Sequence, residues 1–413
     1  MNMIEQLFND FGAKYLEEAK KNGVDLGLQT VYTPIDKIEK ATNFRFADYI
    51  TSETRSVGVL FNTEFIGYFI KELPQNYINN IKFTFFYDCK FDYKQVRNFI
   101  LFSGKKLNID LVKIENIKDL DKVMASKKFD IVYSNPPYDR SLHLKILKTA
   151  SESVDFEKNG KVIFVHPNRW LIAVNKDDEK YAWLNNEINK VIAIDLNKIF
   201  NIANFTAGII TILGKDGYSV KDVNPLEHRL KFKAGNGKIY DWSIFSKDEK
   251  DKIYNIFLKI INNKHFRSIK ESERFYNLFN EDGKYYVQHN LIIGNGGFQP
   301  KHIYCNGKSL MNDKTIIDNR GKMNQTSKCE FNSVQFNTKE EAENYRQTQF
   351  GNFMLFIDAV SRVDAHVHQQ FIPFMNDYSE PWTDERFYDF FNISNEERDL
   401  VNRLFEKQTS WND

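Results

Sequence analysis

The sequence predicts an α/β protein in three parts: a helical segment over residues 1–30, a parallel, doubly wound sheet over 31–216, and a second domain of mixed, loop-rich structure over 217–413. Three observations point there. Seven short β-branched or aromatic runs alternate with helix-like or polar stretches between residues 57 and 214. After Gly214 the pattern changes, and Gly217, Pro225, Gly235, Gly237, Gly283, Gly294, Gly296 and Gly297 punctuate shorter segments. The 413 residues are 42% hydrophobic and 27% charged, which excludes a disordered or fibrous chain and suits about two to three domains.

Phe8, Phe11, Tyr15 and Ala19 fall on one face of a helix that Asn22-Gly23 stops. The runs that follow are VGVLF (57–61), KFTFFYD (82–88), IDLVKI (109–114), FDIVYS (129–134), KVIFVH (161–166), VIAIDL (191–196) and AGIITIL (207–213). Stretches about the length of βα crossovers separate the first six, which makes those strands parallel. A shorter link joins the last two, as in a sheet that closes with an antiparallel pair. The sequence contains no internal repeat and no low-complexity tract.

With 57 Lys and Arg against 56 Asp and Glu, the net charge is +1, so an acidic partner must be met by a local patch. Residues 221–274 hold 13 bases against 8 acids, and residues 376–413 hold 10 acids against 4 bases. The basic stretch suits phosphates; it also suits a solvated helical face at 247–274. Cys89, Cys305 and Cys329 are too scattered for a disulfide framework or a zinc site, which predicts a reducing compartment. His366 and His368 sit two apart, but no Cys or carboxylate spacing completes a metal site. The N-terminus MNMIEQLFND is acidic, and no apolar run approaches about 18 residues, so a cytoplasmic protein without a membrane segment is expected.

The strongest motif is Ser134-Asn135-Pro136-Pro137-Tyr138, directly after the strand FDIVYS and before a helical run beginning near Ser141. Two consecutive prolines fix an extended turn and supply no N–H donors. Their carbonyls become outward acceptors at the C-terminal edge of a strand, where open α/β sheets bind ligands. Such a set suits an exocyclic amine. Adenine N6 is conjugated into its ring and is a poor nucleophile. The Asn135 side-chain oxygen and the Pro136 carbonyl, one on each N–H, would draw its lone pair toward an electrophile. Tyr138 offers a flat face to a base swung out of the duplex, and stacking of that kind is worth about 1–3 kcal/mol. The bland reading is a Pro-Pro turn that ends a strand. The functional one requires the bend to be reachable, beside a cavity wide enough for a purine.

At these residues the sequence resembles the adenine-N6 DNA methyltransferases of the gamma arrangement, related to the Eco57I-type modification domain, over most of its length. Val31-Tyr32-Thr33-Pro34 looks like the element that helps hold the methionine part of S-adenosylmethionine. Taken as residues alone, Thr33-Pro34 is also an ordinary helix start. GKVIFVHPNRWL (160–171) is similar to the strand and turn after the catalytic loop. VIAIDLNKIFNIANFTAGIITIL resembles the strand–loop–strand whose aromatic, here Phe200, faces the flipped adenine. Residues 336–350 and 372–397 look like the close of a target-recognition domain. Trp170, Trp382 and Phe387 read as packing residues.

The resemblance implies a Rossmann-like seven-stranded methyltransferase sheet with a C-terminal mixed α/β target-recognition domain. It implies Asn135, Pro136, Pro137 and Tyr138 as catalytic residues, with Tyr138 and Phe200 stacking on the base. It implies S-adenosylmethionine as cofactor, held by Tyr32, Thr33, Glu64, Asp88 and Asp119, and no metal. The implied partners are double-stranded DNA and a separately encoded restriction enzyme or partner subunit.

One element departs from the pattern. The first strand should lead into a glycine-rich turn that lets backbone approach the cofactor. Here it runs Val57-Gly58-Val59-Leu60-Phe61-Asn62-Thr63-Glu64-Phe65-Ile66-Gly67, with no glycine in the turn. Glu64 could replace the missing acid, and the small Asn62 and Thr63 could permit a tight turn. GNGG at 294–297 is no dinucleotide fingerprint, since it does not follow a strand and open a helix. The altered turn keeps a second class of function open, a catalytically degenerate homologue acting as a DNA-binding or partner subunit. A third class, the same loop acting on a protein glutamine or an RNA base, fits poorly with about 200 residues after the catalytic half.

Overall fold

The computed structural model describes residues 21–23, 33–137, 142–167, 183–184, 187–194, 199–200, 208–219, 223–228, 231–233, 239–276, 283–288, 292–293, 297–298, 303–305, 308–310, 333–361 and 369–406. The predicted helix at 1–30 lies almost wholly outside them. So do Tyr32, Tyr138, Trp170, Cys329, His366 and His368. The chain divides into two compact units, residues 1–223 and 224–413.

The first unit is built on seven strands: β1 (Ser56–Leu60), β2 (Lys82–Tyr87), β3 (Asn108–Lys113), β4 (Ile131–Ser134), β5 (Lys161–Pro167), β6 (Ile188–Ile194) and β7 (Gly208–Leu213). Their order is β3-β2-β1-β4-β5-β7-β6, with β7 antiparallel to both β5 and β6 and the other pairs parallel. This is a Rossmann-like, mostly parallel sheet that closes with an antiparallel pair. Every predicted run holds a strand, because strands covered on both faces read as unbroken apolar stretches. β4 and β7 are buried along their whole length, whereas the edge strand β3 is only half-buried. Residues beyond Gly214 still belong to this unit. Tyr218 exchanges backbone hydrogen bonds with Ile188 at 3.0 and 3.3 Å, which extends the edge of β6.

Helices cover the sheet: α1 (Ile35–Thr42), α2 (Thr63–Glu72), α3 (Gln75–Asn80), α4 (Lys90–Ser103), α5 (Leu120–Ala125) and α6 (Leu142–Glu152). The first eight residues of α2 are all buried. Its Phe65 and Phe69 pack on Tyr133 of β4 at ring distances of 5.6 and 4.8 Å, and Phe46 joins the same core. Gly58, inside β1, faces the other side of the sheet, where its neighbours come close. A Cβ there would meet Val132 at 3.2 Å and the Phe129 ring at 3.4 Å.

The second unit carries an antiparallel sheet of order β10-β16-β11-β14-β15: β10 (Phe275–Tyr276), β16 (Ser333–Phe336), β11 (Tyr285–Gln288), β14 (Ile303–Cys305) and β15 (Lys308–Ser309). Two short hairpins accompany it, β8 (Lys231–Lys233) with β9 (Ile239–Asp241) and β12 (Ile292–Ile293) with β13 (Gly297–Phe298). Its helices are α7 (Lys247–Ile261), α8 (Lys339–Thr348), α9 (Asn352–Ser361), α10 (Asp384–Phe390) and α11 (Asn395–Glu406). Phe387 stacks on Phe353 at 4.5 Å, and Trp382 packs on Phe387 at 5.1 Å, so two of the three predicted packing residues pack and the third, Trp170, lies outside the described residues. Part of the uneven charge is consumed within this unit. Lys259 pairs with Glu397 at 2.7 Å, Lys247 with Glu227 at 3.4 Å and Arg403 with Glu249 at 3.7 Å. Among the described residues, no helix is long and apolar enough to cross a membrane.

Candidate active site

The strand order reverses between β1 and β4, and ligands of open α/β sheets bind outside the strand ends at such a switch point. Leu60 and Ser134 are register partners there, so the β1 turn and the Asn135-Pro136-Pro137 bend lie side by side. β1 passes into α2 through Phe61 and Asn62. Phe61 takes the left-handed conformation at φ +63°, and its N–H donates to the Phe86 carbonyl at 2.9 Å. A bulky residue at positive φ is a true outlier, costing about 1–2 kcal/mol against a glycine. The sequence shows a turn without glycine; the structure puts Phe61 in the conformation a glycine would favour.

The end of β4 is held residue by residue. The Tyr133 hydroxyl donates to the Phe46 carbonyl at 2.9 Å, and the Ser134 hydroxyl to the Leu60 carbonyl at 3.0 Å. The Asn135 backbone N–H donates to Asn62 Oδ1 at 2.6 Å, and Asn135 Nδ2 donates to Thr33 Oγ1 at 2.9 Å. The Thr33 N–H in turn donates to Glu64 Oε1 at 2.9 Å. Four sequence candidates or their neighbours therefore meet: Thr33, Asn62, Glu64 and Asn135. Helix α1 does start after Pro34, but with no side-chain cap; the Thr33 hydroxyl serves Asn135 instead. Asn135 and Pro136 are buried and Pro137 is half-buried.

At the end of β2, Asp88 is half-buried and precedes α4. Asp88, Cys89 and Asp92 bring one ligand atom each within 4.8 Å of one another. Asp92 was not singled out from the sequence, and Cys89 was set aside there as one of three scattered cysteines; the D-C-x-x-D spacing at this strand–helix junction brings them together. Asp119 closes a short 3-10 turn (Ile117–Asp119) after β3, half-exposed, with Lys122 at 3.6 Å. Phe200 is half-buried and packs against the first unit's core. Behind the site, His166 of β5 is buried, with its Nε2 2.8 Å from Thr211 Oγ1 and its ring 5.5 Å from His143. Burial, then the His143 neighbour, holds the His166 pKa well below the usual imidazole range. A separate groove of about 370 Å³ opens between Arg45, Tyr49 and Lys190, away from the bend.

S-adenosylmethionine can be tested against this donor set. The half-buried Asp88 carboxylate at the end of β2 suits a ribose diol. The methionine side is less open: Phe61, Asn62, Thr63 and Glu64 are at most 2% exposed, and no glycine leaves backbone bare. The ribose half fits, and the first turn departs from the usual cradle.

No protein-family model matches the chain, and no curated protein matches it. Solved structures do match. One is the methyltransferase subunit of a type I restriction-modification system from Streptococcus thermophilus, at 15% identity and a TM-score of 0.33, covering 41% of this chain and 43% of that one. TrmN from Thermus thermophilus matches at 12% identity and a TM-score of 0.30, covering 44% and 48%. A methyltransferase from Pyrococcus furiosus matches at 16% identity and a TM-score of 0.29, covering 44% and 81%. The match thus spans less than half the length of the first two, and likeness of this size is one of fold alone.

Proposed function

We propose that the chain is a site-specific DNA methyltransferase that modifies N6 of a flipped adenine, with S-adenosylmethionine as methyl donor. The observation that carries this reading is the position of Asn135 at the C-terminal end of β4, at the switch point, with its carboxamide and backbone N–H both held. Asn135 and the Pro136 carbonyl accept the two amine hydrogens, and Pro137 keeps the bend rigid and free of competing donors. Tyr138 and Phe200 stack on the base. Asp88 and Asp119 hold the nucleoside end of the cofactor, and Tyr32, Thr33 and Glu64 its methionine end. The cofactor supplies an electrophilic methyl group when bound. In-line positioning supplies most of the acceleration, and no strong base is required before attack. Residues 217–413 meet double-stranded DNA, and a separately encoded nuclease or partner subunit would complete a restriction-modification pair.

The closed first turn favours a second reading, a non-catalytic DNA-binding or partner subunit that takes no cofactor. Calorimetry with S-adenosylmethionine separates the two, with micromolar binding expected for the enzyme and no heat for the subunit. Sequencing adenine modification in DNA from cells that express the chain, or its Asn135→Ala variant, then tests the chemistry. The variant should lose modification and keep DNA binding; modification retained by the variant would remove Asn135 from catalysis.

A further inference from the structure

We infer that Thr33 and Asn62 are positioning residues that orient the Asn135 carboxamide before any substrate arrives. The inference rests on the catalytic reading of Asn135 above. A carboxamide has two nearly isosteric orientations, one presenting an acceptor and the other two donors. Only the first can receive an amine hydrogen, so something must choose between them. Thr33 Oγ1 takes the Nδ2 hydrogen at 2.9 Å, which turns the carbonyl oxygen away from Thr33. Thr33 is itself anchored, because its N–H is bound to Glu64 Oε1 at 2.9 Å and the residue is fully buried, so its hydroxyl stays beside the Asn135 amide.

Asn62 acts on the backbone of the same residue. It stands at the N-cap of α2, where an asparagine ordinarily bonds an amide of the first helical turn. It makes no such cap bond. Its Oδ1 reaches across to β4 instead, taking the Asn135 N–H at 2.6 Å and the Ser134 hydroxyl at 3.3 Å. The residue after the outlier Phe61 thus serves the bend rather than its own helix. Together the two contacts hold the Asn135 N–H and its carboxamide, so its backbone and its χ2 are both set.

The test uses the full chain and four variants. Thr33→Val keeps the shape and removes the acceptor; Thr33→Ser restores it. Asn62→Ala removes the second acceptor; Asn62→Asp restores it. With a duplex substrate, Thr33→Val and Asn62→Ala should each lower kcat by about 10- to 100-fold, the scale of one lost buried hydrogen-bond partner. KM for DNA should stay within about twofold in both, the calorimetric Kd for S-adenosylmethionine should stay within about twofold in Asn62→Ala, and Ser and Asp should recover most of the loss in kcat. In Asn62→Ala, a loss of cofactor affinity that matches the loss of kcat overturns the inference, and so does a kcat unmoved in Thr33→Val and Asn62→Ala. Should the wild type prove inactive, the catalytic reading fails while this one is still decided, by the exchange rate of the Asn135 side-chain NH2 protons. Those protons should exchange slowly in the wild type and at least tenfold faster in Thr33→Val; equal rates overturn the inference.

Discussion

Phe61→Gly should damage the protein less than Phe61→Ala, the reverse of the usual order. The Phe61 ring is 1% exposed, and removing such a side chain costs about 3–5 kcal/mol in either variant. The difference between them lies in the backbone. At an ordinary position glycine trails alanine by about 0.5–1 kcal/mol through its greater unfolded entropy. Phe61 sits at φ +63°, where a Cβ costs about 1–2 kcal/mol and glycine nothing. The two contributions oppose, and the left-handed cost is the larger by roughly 0.5–1 kcal/mol. Native-state hydrogen exchange of β1 and β2, in peptides covering 56–61 and 82–87, reports on the opening of this sheet without requiring both units to unfold together. The slowest amides should exchange about two- to fivefold more slowly in the glycine variant than in the alanine variant. Alanine equal to or better than glycine would refute the assignment of strain to Phe61.

Two further outcomes follow from other parts of the chain. His166 is neutral when folded, and its pKa lies below that of the unfolded chain. It contributes no pH dependence above about pH 6.5, where both states are uncharged, and below that the unfolded state gains a proton first. Stability should therefore fall as pH drops from about 6.5 toward the folded pKa, by at most about 1.4 kcal/mol per pH unit. His166→Gln should flatten that slope in urea titrations, and an unchanged slope would move its origin elsewhere. In the second unit, Ser246 and Glu249 form a capping box at the start of α7. Ser246→Ala should cost about 1 kcal/mol and speed exchange of the Glu249 amide; an unchanged rate would mean that the box contributes nothing.

The sheet was readable because its strands are buried on both faces. KFTFFY, GIITIL and their neighbours carry that burial as unbroken apolar runs, and the long and short links between them encode which pairs run parallel. Asn135-Pro136-Pro137 was readable too, since two prolines dictate their own geometry. The turn after β1 was not, because no local rule puts phenylalanine in a left-handed conformation. Thr33 and Asn62 were legible as residues but not as partners of Asn135. They stand 102 and 73 residues away; the parallel pairing of β1 with β4 brings Asn62 to Asn135, and the segment before α1 brings Thr33. Within the basic stretch at 221–274, Lys247 and Lys259 answer to Glu227 and Glu397 of their own unit, pairings that cumulative charge along a sequence does not reveal.

The last three positions of β4 and its continuation, Tyr133, Ser134 and Asn135, are tied to three separate pieces of chain: the 46–49 turn, the end of β1, and the pair of Thr33 with Asn62. A ledge braced from three directions has little slack to lend a visitor. Its geometry is settled during folding, so on the proposed function the amine would be met by a carboxamide already in place. Alterations to the brace itself would therefore be felt first as lost stability.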